Sequence, residues 1–368
     1  MMSRRYDIDW LRVIAIGLLL IYHIAIGFQP WGVFIRFIQN DEMMEGLWTP
    51  MSMLNVWRIP LLFFVSGMGV YFAIQKRNWK QLIGERSKRI LLPLIFGMLT
   101  FVPLFIVVFQ SYYEVDLTYE VDPGHLWFLG NIFCYVLILA PIFFYLKRNE
   151  GGMVQQWLCW VFSNPLTLLI VLLPFAAEAY IVNPGAFEMY FMNWHGFYLG
   201  LLAFFFGFLF NYSGENFWKT ILKWRWMYLG LAVALYSVRF FMFNMKTPNM
   251  VMSVESNMWI LAVFGFGYKY LNHPSKALTY LSQAAYPVYI VHMAVLYLAS
   301  YWIFPMHLPV TIKFVSVVVL TFVGCFGLYE IIRRINWLRP LFGLNLSSKK
   351  KGAISKDNLA YETVPSSN

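Results

Sequence analysis

The sequence predicts an all-α, polytopic membrane protein in which about ten transmembrane helices form one bundle. Composition is the first ground: 60% of the 368 residues are apolar, 20% are aromatic and only 12% are charged, far from ordinary globular usage. Apolar runs, each able to cross about 30 Å of hydrocarbon, are the second. The third is the placement of lysine and arginine, which favours alternate connections along the chain.

The first run, residues 10–28, follows Arg4 and Arg5, is too long for a signal-peptide core and has no small-residue cleavage site after it. Runs at 57–75 and 90–111 flank a basic connection with Lys76, Arg77, Lys80, Arg86, Lys88 and Arg89. The run at 126–146 follows an acidic connection with Glu114, Asp116, Glu120 and Asp122, and ends at Lys147 and Arg148. Pro165 and Pro174 interrupt the run at 157–182. Runs at 195–212 and 226–245 flank Lys219, Lys223 and Arg225; those at 254–271 and 281–303 flank Lys269 and Lys276; the last, 309–332, leads into Arg333, Arg334 and Arg339. Residues 1–346 read as one membrane domain and 347–368, polar and lysine-rich at the start, as a disordered cytoplasmic tail.

Because basic connections stay on the cytoplasmic side, ten spans place both termini there, in a bacterial inner membrane. Only Arg36, Arg58, Lys246 and Lys313 are left for the outer side, and Lys313 also falls within the run at 309–332. Topology and anionic lipid headgroups account for the formal +10 charge, and a nucleic-acid partner is not needed. Cys134, Cys159 and Cys325 fall in or at the ends of spans, where a small apolar role and no disulfide are expected. No CxxC, HExxH, P-loop or dinucleotide loop occurs, so neither a metal site nor a permanently bound cofactor is predicted. Oligomeric state is not encoded in any recognisable pattern.

Ionisable groups inside spans mark candidate sites, because they are costly there. Arg12 and His23 lie eleven residues apart in the first span. At about 100° and 1.5 Å per residue they return to within roughly 20° of one helix face, on the order of 16 Å apart. They share a stripe and cannot touch; Asp9 is placed to pair with Arg12. An intramembrane histidine serves as an interhelical contact or as a base near neutral pH. Ser66, beside Gly67 and Gly69, points to close helix packing over chemistry. His125 and Trp127 begin the fourth span, where tryptophan is ordinarily an interfacial anchor, while His125 holds sugar hydroxyls or faces water. Tyr289 and His292 share a face of the ninth span. Glu178 and Arg239, both toward outer helix ends, are expected to form an intramembrane salt bridge.

Five segments taken in order resemble the integral-membrane acyltransferase-3 family, in the branch that includes glucan biosynthesis protein C. They are the Arg12-to-His23 motif, "PLLFFVSGMGVYF" at Pro60–Phe72, Arg86-Ser-Lys-Arg89, "GHLWFLGNIFCY" at Gly124–Tyr135, and "AAYPVYIVHMAVLY" ending at Tyr297. The resemblance implies transfer of an acetyl, succinyl or similar group from cytoplasmic acyl-coenzyme A, as cosubstrate, to a hydroxyl of an extracytoplasmic carbohydrate such as a glucan or other surface polysaccharide. In that setting His23 is the general base, and Arg12, Arg86 and Arg89 meet the phosphates of the donor. Ser66, His125, Trp127, Glu178, Arg239, Tyr289 and His292 are candidate lining residues. A secondary transporter or exporter is the competing class, with His23, Glu178, Arg239 and His292 as a relay, although no inverted internal repeat is visible.

Overall fold

The computed structural model describes residues 4–346, so the tail expected at 347–368 lies outside the described residues. Among the described residues the regular structure is helical, without strands. The order is α1 (Tyr6–Ile26), α2 (Trp48–Gln75), α3 (Trp79–Arg86), α4 (Leu92–Leu99), α5 (Phe101–Tyr112), α6 (Trp127–Arg148), α7 (Met153–Ser163) and α8 (Pro165–Leu168). It continues with α9 (Leu172–Val182), α10 (Trp194–Tyr212), α11 (Glu215–Phe241), α12 (Asn249–Tyr270), α13 (Lys276–Ile303) and α14 (Val310–Arg334).

Nine helices or continuous helical runs among the described residues are long and apolar enough to cross a membrane. The remaining expected span, 226–245, corresponds to α11, which is long enough at 27 residues but carries Lys219, Lys223, Arg225 and Arg239 and so falls short in apolar character. It begins at Glu215, well before the expected residue 226, because its charged first turns are helical too.

Breaks in the spans have local causes. A π-helical turn over Ser87–Leu91 joins α3 to α4, and the backbone at Thr100 (φ −126°, ψ −67°) separates α4 from α5. Asn164 caps α8 by accepting from the Leu166 amide, with Pro165 in the first helical position where its missing N–H costs nothing. That proline interrupts the fifth run as the sequence suggests, while Pro174 is accommodated in the first turn of α9.

The interior is built on α2 and α13, the two most buried spans. α2 packs on α10 through two glycines that meet backbone: a Cβ on Gly67 would lie 1.9 Å from the Phe204 carbonyl oxygen, and one on Gly207 would lie 2.0 Å from that of Phe64. With no hydrophobic force to drive helices together in lipid, such close approach supplies the packing. α1 lies in a groove formed by α2, α12 and α13. On α14, Ile312, Val315, Val319 and Val323 remain exposed at helical spacing, a stripe suited to lipid.

Candidate active site

Unbroken helix from Tyr6 to Ile26 places Arg12 and His23 on α1 as the sequence spacing requires. His23 Nδ1 lies 2.9 Å from His292 Nε2 on α13, with the two rings nearly parallel, 4° apart. His292 Nδ1 lies 2.7 Å from the Tyr289 carbonyl oxygen. A carbonyl only accepts, so His292 Nδ1 carries the hydrogen and a neutral His292 presents a lone pair at Nε2. His23 Nδ1 must then be the donor, which leaves the lone pair of neutral His23 at Nε2. His292 is fully buried, whereas His23 is only partly so.

His125 joins this pair from the 3₁₀ turn Gly124–Leu126, its ring edge-on to His292 with centroids 4.8 Å apart. Its Nε2 donates to the Ile290 carbonyl at 3.1 Å, and its Nδ1 is buried without a partner. The Tyr289 hydroxyl donates to the His125 carbonyl at 2.5 Å, tying the turn to α13. Four residues singled out by sequence, His23, His125, Tyr289 and His292, thus come together from three parts of the chain.

A side pocket of about 180 Å³ opens beside this cluster, toward the acidic loop that follows α5. Phe105 and Tyr297 line it; Phe105 lies 5.9 Å from the His125 ring, and Phe37 bridges Tyr297 to His23 at 5.7 and 5.8 Å. Across the pocket Arg36 donates to Glu120 at 2.8 Å, and this bond holds the Glu120 carboxyl below the ordinary carboxylate range.

The basic end is organised differently from the expectation. Arg12 keeps its Asp9 partner at 3.6 Å and remains about one third exposed. Arg86 ends α3 and Arg89 lies within the π turn Ser87–Leu91, whose wider spacing sets the two side chains in different surroundings. Arg86 has a buried Nε without a hydrogen-bond partner among the described residues. Arg89 bonds Asn345 at 2.9 Å and Glu85 at 3.4 Å, and with Arg77 and Lys88 lines a pocket of about 560 Å³. The far wall of that pocket is residues 340–346, folded tightly against the π turn. Gly343, at φ 68°, is required there, since a Cβ would meet the Tyr286 ring at 2.5 Å and the Arg89 carbonyl at 3.0 Å.

Other candidates fall away from the histidines or take structural roles. The Ser66 hydroxyl donates to the Leu62 carbonyl at 2.7 Å, next to the Gly67 crossing. Trp127 is buried among Phe63, Phe128 and Phe191, so it is a packing residue and not the interfacial anchor anticipated. The expected Glu178–Arg239 bridge is absent. Glu178 meets His195 Nδ1 at 2.9 Å, and His195 Nε2 donates to the Phe187 carbonyl at 3.0 Å. Arg239 instead holds Glu255 on α12 at 2.8 Å and Glu188 at 3.3 Å. The connection after α9 carries Glu188 back to α11, while the first turn of α10 brings His195 to Glu178. Arg58, counted among outer-side cations, is buried in the bundle instead, at 0% exposure, while Lys313 lies within α14 and donates to the Phe304 carbonyl at 2.6 Å. The signal available in the sequence was that Arg58 and Lys313 fall inside the apolar runs 57–75 and 309–332.

Residues 5–330 match the acyltransferase-3 family, described as an acyltransferase domain. The chain belongs to the acyltransferase-3 family. No curated protein and no solved structure matches it. In acyltransferase terms, the matched region holds the whole histidine cluster, Arg12, Arg86 and Arg89, while the wall of the basic pocket at 340–346 lies beyond it. An acyltransferase needs a group to take the proton of the acceptor, and His23 Nε2 has a lone pair with no protein donor on it among the described residues.

Proposed function

We propose that this chain is an O-acyltransferase of the inner membrane, with both termini in the cytoplasm. It takes an acetyl, succinyl or similar group from cytoplasmic acyl-coenzyme A and gives it to a hydroxyl of a carbohydrate on the other side. The observation that carries this reading is the bond of 2.9 Å from His23 Nδ1 to His292 Nε2, with His292 itself tied to the Tyr289 carbonyl. It orients His23 as a base, in the way that a second group orients the imidazole in nucleophile–base sites.

His23 Nε2 takes the proton of the acceptor hydroxyl while the oxygen attacks the thioester carbonyl. The new C–O bond forms, the C–S bond breaks, and the proton held by His23 passes to the departing sulfur. At the basic end Arg89, Arg77 and Lys88 suit the phosphates of the donor, and the Arg12 stripe on α1 leads from there toward His23. The side pocket with Phe105, Tyr297, Arg36 and Glu120 suits the acceptor, offering aromatic faces and charged hydrogen-bonding groups to a sugar. An exporter relay would draw on Glu178 and Arg239, and these belong to networks separate from the His23–His292 pair.

Purified protein given acetyl- or succinyl-coenzyme A and a glucan acceptor tests the reading. Acceptor-dependent release of free coenzyme A, with matching mass added to the glycan, is the expected result. Movement of glycan across vesicles without any coenzyme A release would overturn it in favour of export.

A further inference from the structure

Arg58 takes no part in the steps above, yet its environment is unusual for a buried cation. The residue is 0% exposed on α2. Its Nη1 lies 3.5 Å from the Leu18 carbonyl and its Nη2 lies 3.4 Å from Asn55 Oδ1, both long for charge-assisted bonds. Its Nε is buried with no partner. The Tyr22 ring sits 4.1 Å from the guanidinium carbon. No carboxylate pairs with it among the described residues: Glu188, whose backbone carbonyl receives Asn55 Nδ2, gives its own carboxylate to Arg239. Arg239 shows how this bundle treats a cation meant only for structure, with Glu255 and Glu188 both in place.

A guanidinium without a counter-charge is a poor packing element in a membrane interior and marks function. The Tyr22 ring that the guanidinium faces lies immediately before the base on α1, with ring centroids of Tyr22 and His23 5.8 Å apart. A resident carboxylate would quench the field of Arg58. With only neutral groups around it, the guanidinium keeps open donors for a negative charge that exists during reaction alone.

We infer that Arg58 is a further catalytic residue of this site, holding the negative charge that builds on the acyl carbonyl oxygen. The inference rests on the acyl-transfer reading. As the acceptor oxygen bonds to the carbonyl carbon and its proton goes to His23 Nε2, the carbonyl π electrons move onto oxygen beside the guanidinium. They return as the C–S bond breaks, and the thiolate takes the proton from His23.

Arg58→Gln and Arg58→Lys are compared with the wild type in the purified full chain, measuring coenzyme A release and thermal unfolding together. For Arg58→Gln, kcat falls about 10²–10³-fold while both KM values stay within about threefold. Its thermal transition is kept, since removal of an uncompensated buried charge relieves strain on the fold. Arg58→Lys, which keeps the charge, retains at least about tenfold more activity than Arg58→Gln. Wild-type kcat in Arg58→Gln, or loss of the thermal transition in both variants, overturns the assignment. The two failures are separable: a wild type that releases no coenzyme A removes the transfer reading itself. An active wild type with inactive His23→Ala and fully active Arg58→Gln removes only the role of Arg58.

Discussion

Replacing His292 by phenylalanine keeps a flat ring in a fully buried position and removes the nitrogen that accepts from His23 Nδ1 at 2.9 Å. That bond matters most when His23 has taken the proton of the acceptor, because the donor is then an imidazolium. A hydrogen bond to a charged group contributes about 1.5–3 kcal/mol against about 0.5–1.5 kcal/mol for a neutral one, and the difference of about 1–1.5 kcal/mol corresponds to roughly 5- to 13-fold in rate. The loss belongs in kcat and not in the KM of the donor, since the ground state holds only the weaker neutral bond. Coenzyme A release, followed with a thiol reagent at saturating donor and acceptor, gives the number. His292→Gln can return an acceptor oxygen to the Nε2 position and is expected to recover part of the rate. A phenylalanine variant that folds and keeps kcat within about twofold would refute the orienting role, since even the weaker end of that range predicts a larger loss.

At the basic pocket, Arg89→Ala should raise the KM of the donor by roughly tenfold or more with little change in kcat, as expected for loss of a charge-assisted phosphate contact; initial rates against donor concentration check it. The Arg36–Glu120 pair is exposed, so Glu120→Gln should raise the acceptor KM by no more than about fivefold, with donor KM unchanged. Because Arg36 lowers the Glu120 carboxyl, its contribution is complete above the ordinary carboxylate range and is lost only as pH falls through the lowered value. The acceptor KM of the wild type should therefore not change between pH 6 and 8 through this pair, which a KM series across that window checks. Gly67→Ala forces a Cβ to within 1.9 Å of the Phe204 carbonyl, so the α2–α10 crossing must open; a destabilisation of about 1–3 kcal/mol or more is expected, read as a lower thermal transition.

Run length and the placement of lysine and arginine made the spans legible, because lipid leaves few alternatives to long apolar helices. α11 was misplaced at its start because Lys219, Lys223 and Arg225 mask helical residues from a hydropathy reading. The cluster of His23, His125, Tyr289 and His292 was legible as separate pieces, since each carries a costly polar group within an apolar run. Its geometry was not, because the bond between α1 and α13 joins residues 269 positions apart. The same limit explains the Glu178–Arg239 error: charge and depth suggested a pair, but Glu188 and His195 reached each partner first. Arg86 and Arg89 are set in different surroundings by a π turn, a backbone feature that regular helical spacing does not anticipate. Arg58 stands at the edge of the apolar run 57–75, whereas the helix begins at Trp48 and leaves it ten residues inside α2.

On the acyl-transfer reading, His23 takes the proton of the acceptor. The deciding comparison is coenzyme A release by purified His23→Ala and by the wild type at saturating donor and acceptor. A fall in kcat of about 10²–10⁴-fold with an unchanged thermal transition is predicted. Turnover at the wild-type rate would contradict it.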